Sequence, residues 1–226
     1  MRGRDVLLAH GLVRTFPVGG QRLTSVRRAS LNVAREEMVA VLGRSGAGKS
    51  TLLALCGGLE RPDEGSVVVD GQDLATFDDG ERERFLQRTV GWVFQSPQLV
   101  PLLTAEENVS LAMRIAGERE DEALRMTQVA LEAVGLDARA TRLASELSRG
   151  ERQRAALARA LVKAPALVIA DEPTAQLDTR TAAEILGLLR EAARAEVAIL
   201  FSTHDEAEAA AADRVLVMDE GVLREP

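Results

Sequence analysis

The chain has 226 residues, of which 46% are hydrophobic, 28% charged and 3% aromatic, with a formal net charge of −7. That length gives one large domain or two small subdomains with room for a well-buried core, in an ordinary globular composition. The acidic total weighs against a general nucleic-acid binder, which needs a basic face, and no apolar run approaches the ~20 residues that span a bilayer.

The N-terminus carries Arg2, Arg4 and Asp5 with no apolar stretch, so it does not read as a signal peptide. A cytoplasmic chain is expected, and a membrane role would need a separate spanning partner. As far as about Gly71, short β-rich stretches alternate with turns, such as Val67–Val69 closed by Asp70-Gly71. His10 stands in no motif and is expected as a satisfied structural histidine. Cys56, the single cysteine, sits in a predicted helix among Leu52, Leu53 and Leu55 and reads as a small buried apolar residue.

Five runs are continuously apolar: Met38–Leu42, Val90–Phe94, Leu167–Ala170, Val197–Phe201 and Val215–Met218. Unbroken apolarity marks strands buried on both faces, as in a parallel sheet covered by helices. Between the second and third runs, Leu99 to Val162 reads as helical. Ala123, Leu124, Ala130, Leu131 and Val134 recur at helical spacing with Gly135 as a stop, and a second helix runs from near Gly150 to Val162, before Pro165. There is no internal repeat and no long linker. The pattern predicts an α/β core with a mostly parallel sheet.

Such sheets bind ligands beyond the carboxyl ends of their strands. Gly43, Gln95, Asp171-Glu172 and His204 follow four of the runs there. Residues 43–50 read Gly43-Arg44-Ser45-Gly46-Ala47-Gly48-Lys49-Ser50, with Thr51 next, a full P-loop between strand and helix. The glycines let successive N–H groups curl around one anion, and the helix adds its positive end. Lys49 is expected to reach the β- and γ-phosphates of ATP, and Ser50 to bind Mg²⁺. Asp171 ends a strand where a Mg²⁺-holding carboxylate is expected. Glu172 is the candidate to orient the attacking water. No Asn-Lys-x-Asp segment is present, which counts against a GTPase.

Leu147-Ser148-Arg149-Gly150-Glu151-Arg152-Gln153 contains a capping box from Ser148 to Glu151, so a helix is predicted to start there. Its N-terminus is a second phosphate site, suited to a nucleotide held by a partner.

With these motifs in this order, followed by the D-loop Ala175-Gln176-Leu177-Asp178 and then His204, the chain resembles the ATP-binding cassette (ABC) family over nearly its whole length. Phe94-Gln95-Ser96, Leu102-Leu103-Thr104-Ala105-Glu106-Glu107-Asn108-Val109 and Glu151-Arg152-Gln153-Arg154 resemble the bacterial subgroup of lipoprotein release, macrolide export and the cell-division complex. The resemblance implies a P-loop NTPase core with a mostly parallel sheet, a small antiparallel β-subdomain and an inserted helical subdomain. The boundaries would be about 1–95 for the β-rich and P-loop core, 96–162 for the helical part and 163–226 for the rest of the core. It implies a head-to-tail dimer with a second cassette, identical or different, in which ATP lies between one P-loop and the other chain's Ser148 and Gly150. It implies that Gln95 senses the γ-phosphate through Mg²⁺, that His204 supports Glu172, and that the helical part receives an integral membrane permease at the inner face of the cell membrane.

Two positions depart from the family. The signature has Arg149 where a first glycine is usual. If that position needs a positive φ, arginine is strained there by about 1 kcal/mol or more; at an ordinary helix start the cost is small. A slowed or retuned ATPase is the expectation. There is no tyrosine to stack on adenine; Phe16 stands at about the right place, as a stacking platform or as a lone aromatic. Four functions are weighed: a transport ATPase, a mechanotransmitting ATPase of the cell-division kind, an ATP-dependent scaffold, and a soluble ABC protein acting on DNA or ribosomes. Glu172 and His204 count against the scaffold. The lack of a second cassette or a long insertion counts against the last.

Overall fold

The computed structural model describes residues 5–225; Arg2 and Arg4 of the N-terminal reading lie outside them. The chain opens with β1 (Asp5–Val18), β2 (Gln21–Ala34), β3 (Met38–Leu42), α1 (Lys49–Cys56), β4 (Glu64–Val69) and β5 (Gln72–Asp73). Next come α2 (Asp79–Thr89), β6 (Val90–Val93), α3 (Ala105–Ile115), α4 (Glu120–Ala133) and α5 (Arg149–Leu161). It closes with β7 (Leu167–Asp171), α6 (Thr179–Arg194), β8 (Ala198–Thr203), α7 (Glu206–Ala209), β9 (Arg214–Asp219) and β10 (Val222–Arg224).

The strands form two sheets, an antiparallel one in the order β2-β1-β4-β5 and a six-stranded one in the order β10-β9-β3-β8-β7-β6. In the larger sheet β9, β3, β8, β7 and β6 pair in parallel, and only β10 runs against its neighbour. This is the α/β fold expected from the apolar runs. Successive strand side chains point to opposite faces, and both faces are covered. Val39, Val41, Leu167, Ile169, Ala198 and Leu200 pack toward α1 and the antiparallel sheet. Met38, Ala40, Val168, Ala170, Ile199 and Phe201 pack toward α5 and α6. The runs carry no alternation because neither face meets water. A third core, with Val109, Met113, Leu131 and Val162, joins α3, α4 and α5.

Three features differ from the sequence reading. β1 and β2 are one long hairpin of 14-residue strands rather than short stretches. α2 was not foreseen, because it has no fully buried residue and no apolar stripe. Its start is legible all the same in the capping box of Asp78 and Glu81, where the Asp78 carboxylate accepts from the Glu81 N–H at 2.7 Å. His10 is exposed on β1 and not satisfied in the core, since alternation turns its neighbour Ala9 inward instead. Cys56 is fully buried as expected, and burial pushes its thiol up to about 12, which keeps it protonated and unreactive.

Phe201 is fully buried at the centre of the second core. Phe201→Ala is expected to lower unfolding free energy by about 3–5 kcal/mol, while Leu102→Ala, at a side chain 81% exposed, stays within roughly 0.5 kcal/mol. Denaturant titration of both variants checks this.

Candidate nucleotide site

The parallel pairing of β3, β8 and β7 brings their carboxyl ends to one edge, in the register Leu42↔Thr203 and Asp171↔Ser202. Asp171 and Ser202 share the face that looks toward α1, so their side chains meet. The Ser202 hydroxyl donates to Asp171 Oδ1 at 2.6 Å and accepts the Glu172 N–H at 3.0 Å. Ser202 is fully buried. It was not singled out in the sequence, although its place one residue beyond an apolar run is the signal that could have found it.

Glu172 has a φ of +43°. A left-handed non-glycine residue costs about 1–2 kcal/mol, and here it takes the side chain out of the strand alternation. The carboxylate turns back over the edge, with Oε1 3.1 Å from Lys49 Nζ and Oε2 3.5 Å from His204 Nδ1. Lys49 is only 4% exposed, whereas His204 is exposed. Lys49 also donates to the carbonyls of Gly43 and Arg44, at 2.8 and 3.2 Å. Its ammonium is thus held by the loop's own main chain and by Glu172.

Gly46 and Gly48 have φ of +80° and +104°, the left-handed turns that curl the loop. A Cβ on Gly48 would lie 2.3 Å from the Ser25 carbonyl, so β2 closes against the loop. Ser25 was missed as well: its hydroxyl lies 3.0 Å from that of Thr51. A cavity of about 270 Å³ opens here, lined by Ser45, Gly46, Gly48, Lys49, Ser50 and Thr51 together with Gln95, Glu172 and Ser25. Gly43, Arg44 and Ala47 shape the loop without lining the cavity, and Asp171 and His204 stand behind Glu172. Phe16 pairs across the hairpin with Leu23, two residues before Ser25. The Arg14 guanidinium lies 4.8 Å from its ring centroid, fixed by Glu60 and Asp63 at 2.8 and 2.9 Å.

The second group of expected residues stands apart, and none of it lines this cavity. Ser148 caps α5: its hydroxyl accepts from the Glu151 N–H at 3.3 Å, and Glu151 accepts from the Ser148 N–H at 2.8 Å. The Ser148 N–H, and after it the Ser148 side chain, hold the Glu151 carboxyl below its usual range. Asp178 caps α6 and accepts from the Thr181 hydroxyl and N–H at 2.7 and 3.0 Å. A Cβ on Gly150 would lie 2.7 Å from Thr181 Cγ2, so the two helix starts approach closely there and a larger residue would push the Thr181 side chain aside. Arg149 is the first residue of α5, exposed, and its φ is not positive. The strained alternative for Arg149 is therefore removed. Gln153, buried on α5, donates to the Phe94 carbonyl at 3.3 Å, which ties this helix to the segment carrying Gln95.

The family described as ABC transporter matches residues 26–175. The chain belongs to the ABC transporter family. The "lipoprotein-releasing system ATP-binding protein LolD" of Xanthomonas campestris pv. campestris (strain 8004) is 43% identical over 225 residues, 99% of this chain and 94% of that protein. The protein of the same name from Xylella fastidiosa (strain Temecula1) is 43% identical over 221 residues, 97% of this chain and 92% of that one. Among solved structures, the dimeric post-hydrolysis state of the ATP-binding cassette MJ0796 bound to ADP and Pi matches with a TM-score of 0.88 and 30% identity, covering 97% of this chain and 98% of that one. The ABC resemblance read from the motifs is thereby shown, and with it an ATP-binding subunit that hydrolyses ATP.

Ser202→Ala would leave the Glu172 N–H without its acceptor and Asp171 without its donor. ATP turnover is expected to fall by about 10- to 100-fold, the usual effect of removing a residue that orients such a centre, with the far-ultraviolet spectrum unchanged.

Proposed function

We propose that this chain is the ATPase that powers export or extraction by a separate integral membrane subunit, with membrane-anchored lipoproteins as the cargo class. The cargo class is suggested by its relatives, which are named for lipoprotein release. The chain then works as a peripheral subunit at the cytoplasmic face of the membrane, and the helical part at about 96–162 meets the membrane subunit. A compact third core among α3, α4 and α5 supports that division of the chain.

The single observation that carries the chemistry is the reach of Glu172 to both Lys49 and His204 at the mouth of the P-loop cavity. Lys49 and the loop N–H groups take the phosphates of ATP. The γ-phosphate competes with Glu172 for Lys49, and the carboxylate so freed orients and polarises water, with His204 beside it. Ser50, Gln95 and Asp171 offer only oxygen donors with a single carboxylate, a set that fits Mg²⁺ held together with substrate phosphates. When bound, Mg²⁺ neutralises charge on the phosphate oxygens.

One chain holds its two phosphate-binding ends in different places, which supports a head-to-tail dimer. Ser148 and the Gly150 N–H of each chain complete the other chain's ATP site, and Asp178, through Thr181, sets how Gly150 packs. Phe16, backed by Arg14, offers an aromatic face for adenine. Arg149 starts its helix without strain, so no backbone penalty points to the scaffold reading. No nucleic-acid role is proposed.

Glu172→Gln keeps the size of the side chain and removes its charge. Turnover is expected to drop by at least about 100-fold, and an ATP-bound dimer to persist on size exclusion with Mg-ATP. Hydrolysis within twofold of the unaltered chain would contradict the role given to Glu172.

A further inference from the structure

A cavity of about 220 Å³ lies between the end of α1, β4 and the first turn of α2. Leu55, Val67 and Leu74, all buried, give it an apolar lining. Arg61 and Arg82 line it as well. It shares no residue with the nucleotide cavity. Leu55 sits near the end of α1, whose first residue is Lys49, so the two cavities stand at opposite ends of that helix.

Charge in this cavity does not balance. Glu60 supplies the one carboxylate of the lining, and Arg14 holds it at 2.8 Å. Arg61 pairs with Asp79. Arg82, half-buried, donates to the Glu60 main-chain carbonyl at 3.3 Å and, among the described residues, forms no ion pair. Burial, and after it repulsion from Arg61, lower the pKa of Arg82 against the weaker pull of Asp79 and Glu60. One guanidinium is thus left over beside an apolar surface, in a chain whose net charge is −7. A fork of N–H donors with a single neutral acceptor has room for a charged one.

We propose that this cavity is a second ligand site, for a small organic monocarboxylate whose carboxylate takes the Arg82 guanidinium and whose short hydrocarbon body lies on Leu55, Val67 and Leu74. The planar guanidinium matches a carboxylate with two parallel N–H···O bonds. One spare positive charge fits a monoanion, whereas a dianion would have to draw Arg61 away from Asp79. The volume is below the about 300–1,000 Å³ of sites for drug-sized ligands, so the occupant is small. Burying its hydrocarbon supplies affinity that a bare anion lacks. Because the site stands clear of the P-loop, this ligand and Mg-ATP bind at the same time.

The test titrates sodium hexanoate into the isotope-labelled full chain and follows the amide signals of Val67, Leu74 and Arg82 by nuclear magnetic resonance. Saturable shifts of these signals are expected, and saturating Mg-ATP is expected to leave the hexanoate affinity within about twofold. Hexanol, which has the apolar body without the charge, is expected to bind about tenfold or more weakly, and hexanoate to lose as much on Arg82→Gln. An unchanged melting temperature and unchanged Mg-ATP affinity in Arg82→Gln show that the variant is folded. Ala75→Leu, at an exposed position of the lining, narrows the cavity without touching a cation and is expected to weaken hexanoate as well. Absence of saturable shifts, equal binding of hexanol, or full affinity in both variants overturns the proposal. So does sodium chloride producing the same shifts, which would mark an adventitious ion only.

Discussion

The parallel pairing of β3, β8, β7 and β6 is the constraint on which everything else depends. Parallel strands deliver all their carboxyl ends to one edge, and here that edge receives the P-loop, Asp171, Glu172, His204 and the segment of Gln95. The register is as important as the direction. A slip of one residue between β7 and β8 would turn Ser202 to the other face and separate it from Asp171. Burial on both faces opposes that slip, because every strand would then present the wrong side chains to α1 and to α6.

The electrostatics follow from the same geometry. Lys49 sits in a nearly closed setting where an unpaired ammonium would be costly. The loop supplies two carbonyls, and the strand edge supplies Glu172. That one carboxylate serves as counter-ion and, in the proposed reaction, as the group that orients water. The left-handed backbone at Glu172 is what allows the double duty. It carries the side chain off the strand and toward Lys49, while Ser202 fixes the main chain behind it.

Most of the core was legible in the sequence, because five unbroken apolar runs have few explanations other than doubly buried strands. The P-loop was legible for a similar reason, since its glycines and Lys-Ser pair serve a purpose only between a strand and a helix. The parts that escaped depend on contacts distant in sequence. Ser202 matters only because Asp171 lies across from it, 31 residues away, and Ser25 only because β2 folds over the loop. α2 escaped because its 11 residues carry no apolar stripe to read. The conformation at Arg149 could be posed as a choice from sequence, but only the backbone decides it.

The central claim is that one sheet edge forms an ATP site whose essential cation is Lys49. Calorimetric titration of Mg-ATP into the purified chain and into Lys49→Met tests it most directly. Loss of a charge-assisted contact to phosphate is expected to weaken binding by about tenfold or more, and removal of Mg²⁺ to weaken it further in the unaltered chain. Equal affinity in the two proteins would contradict the account, because the phosphates would then be held somewhere other than this edge.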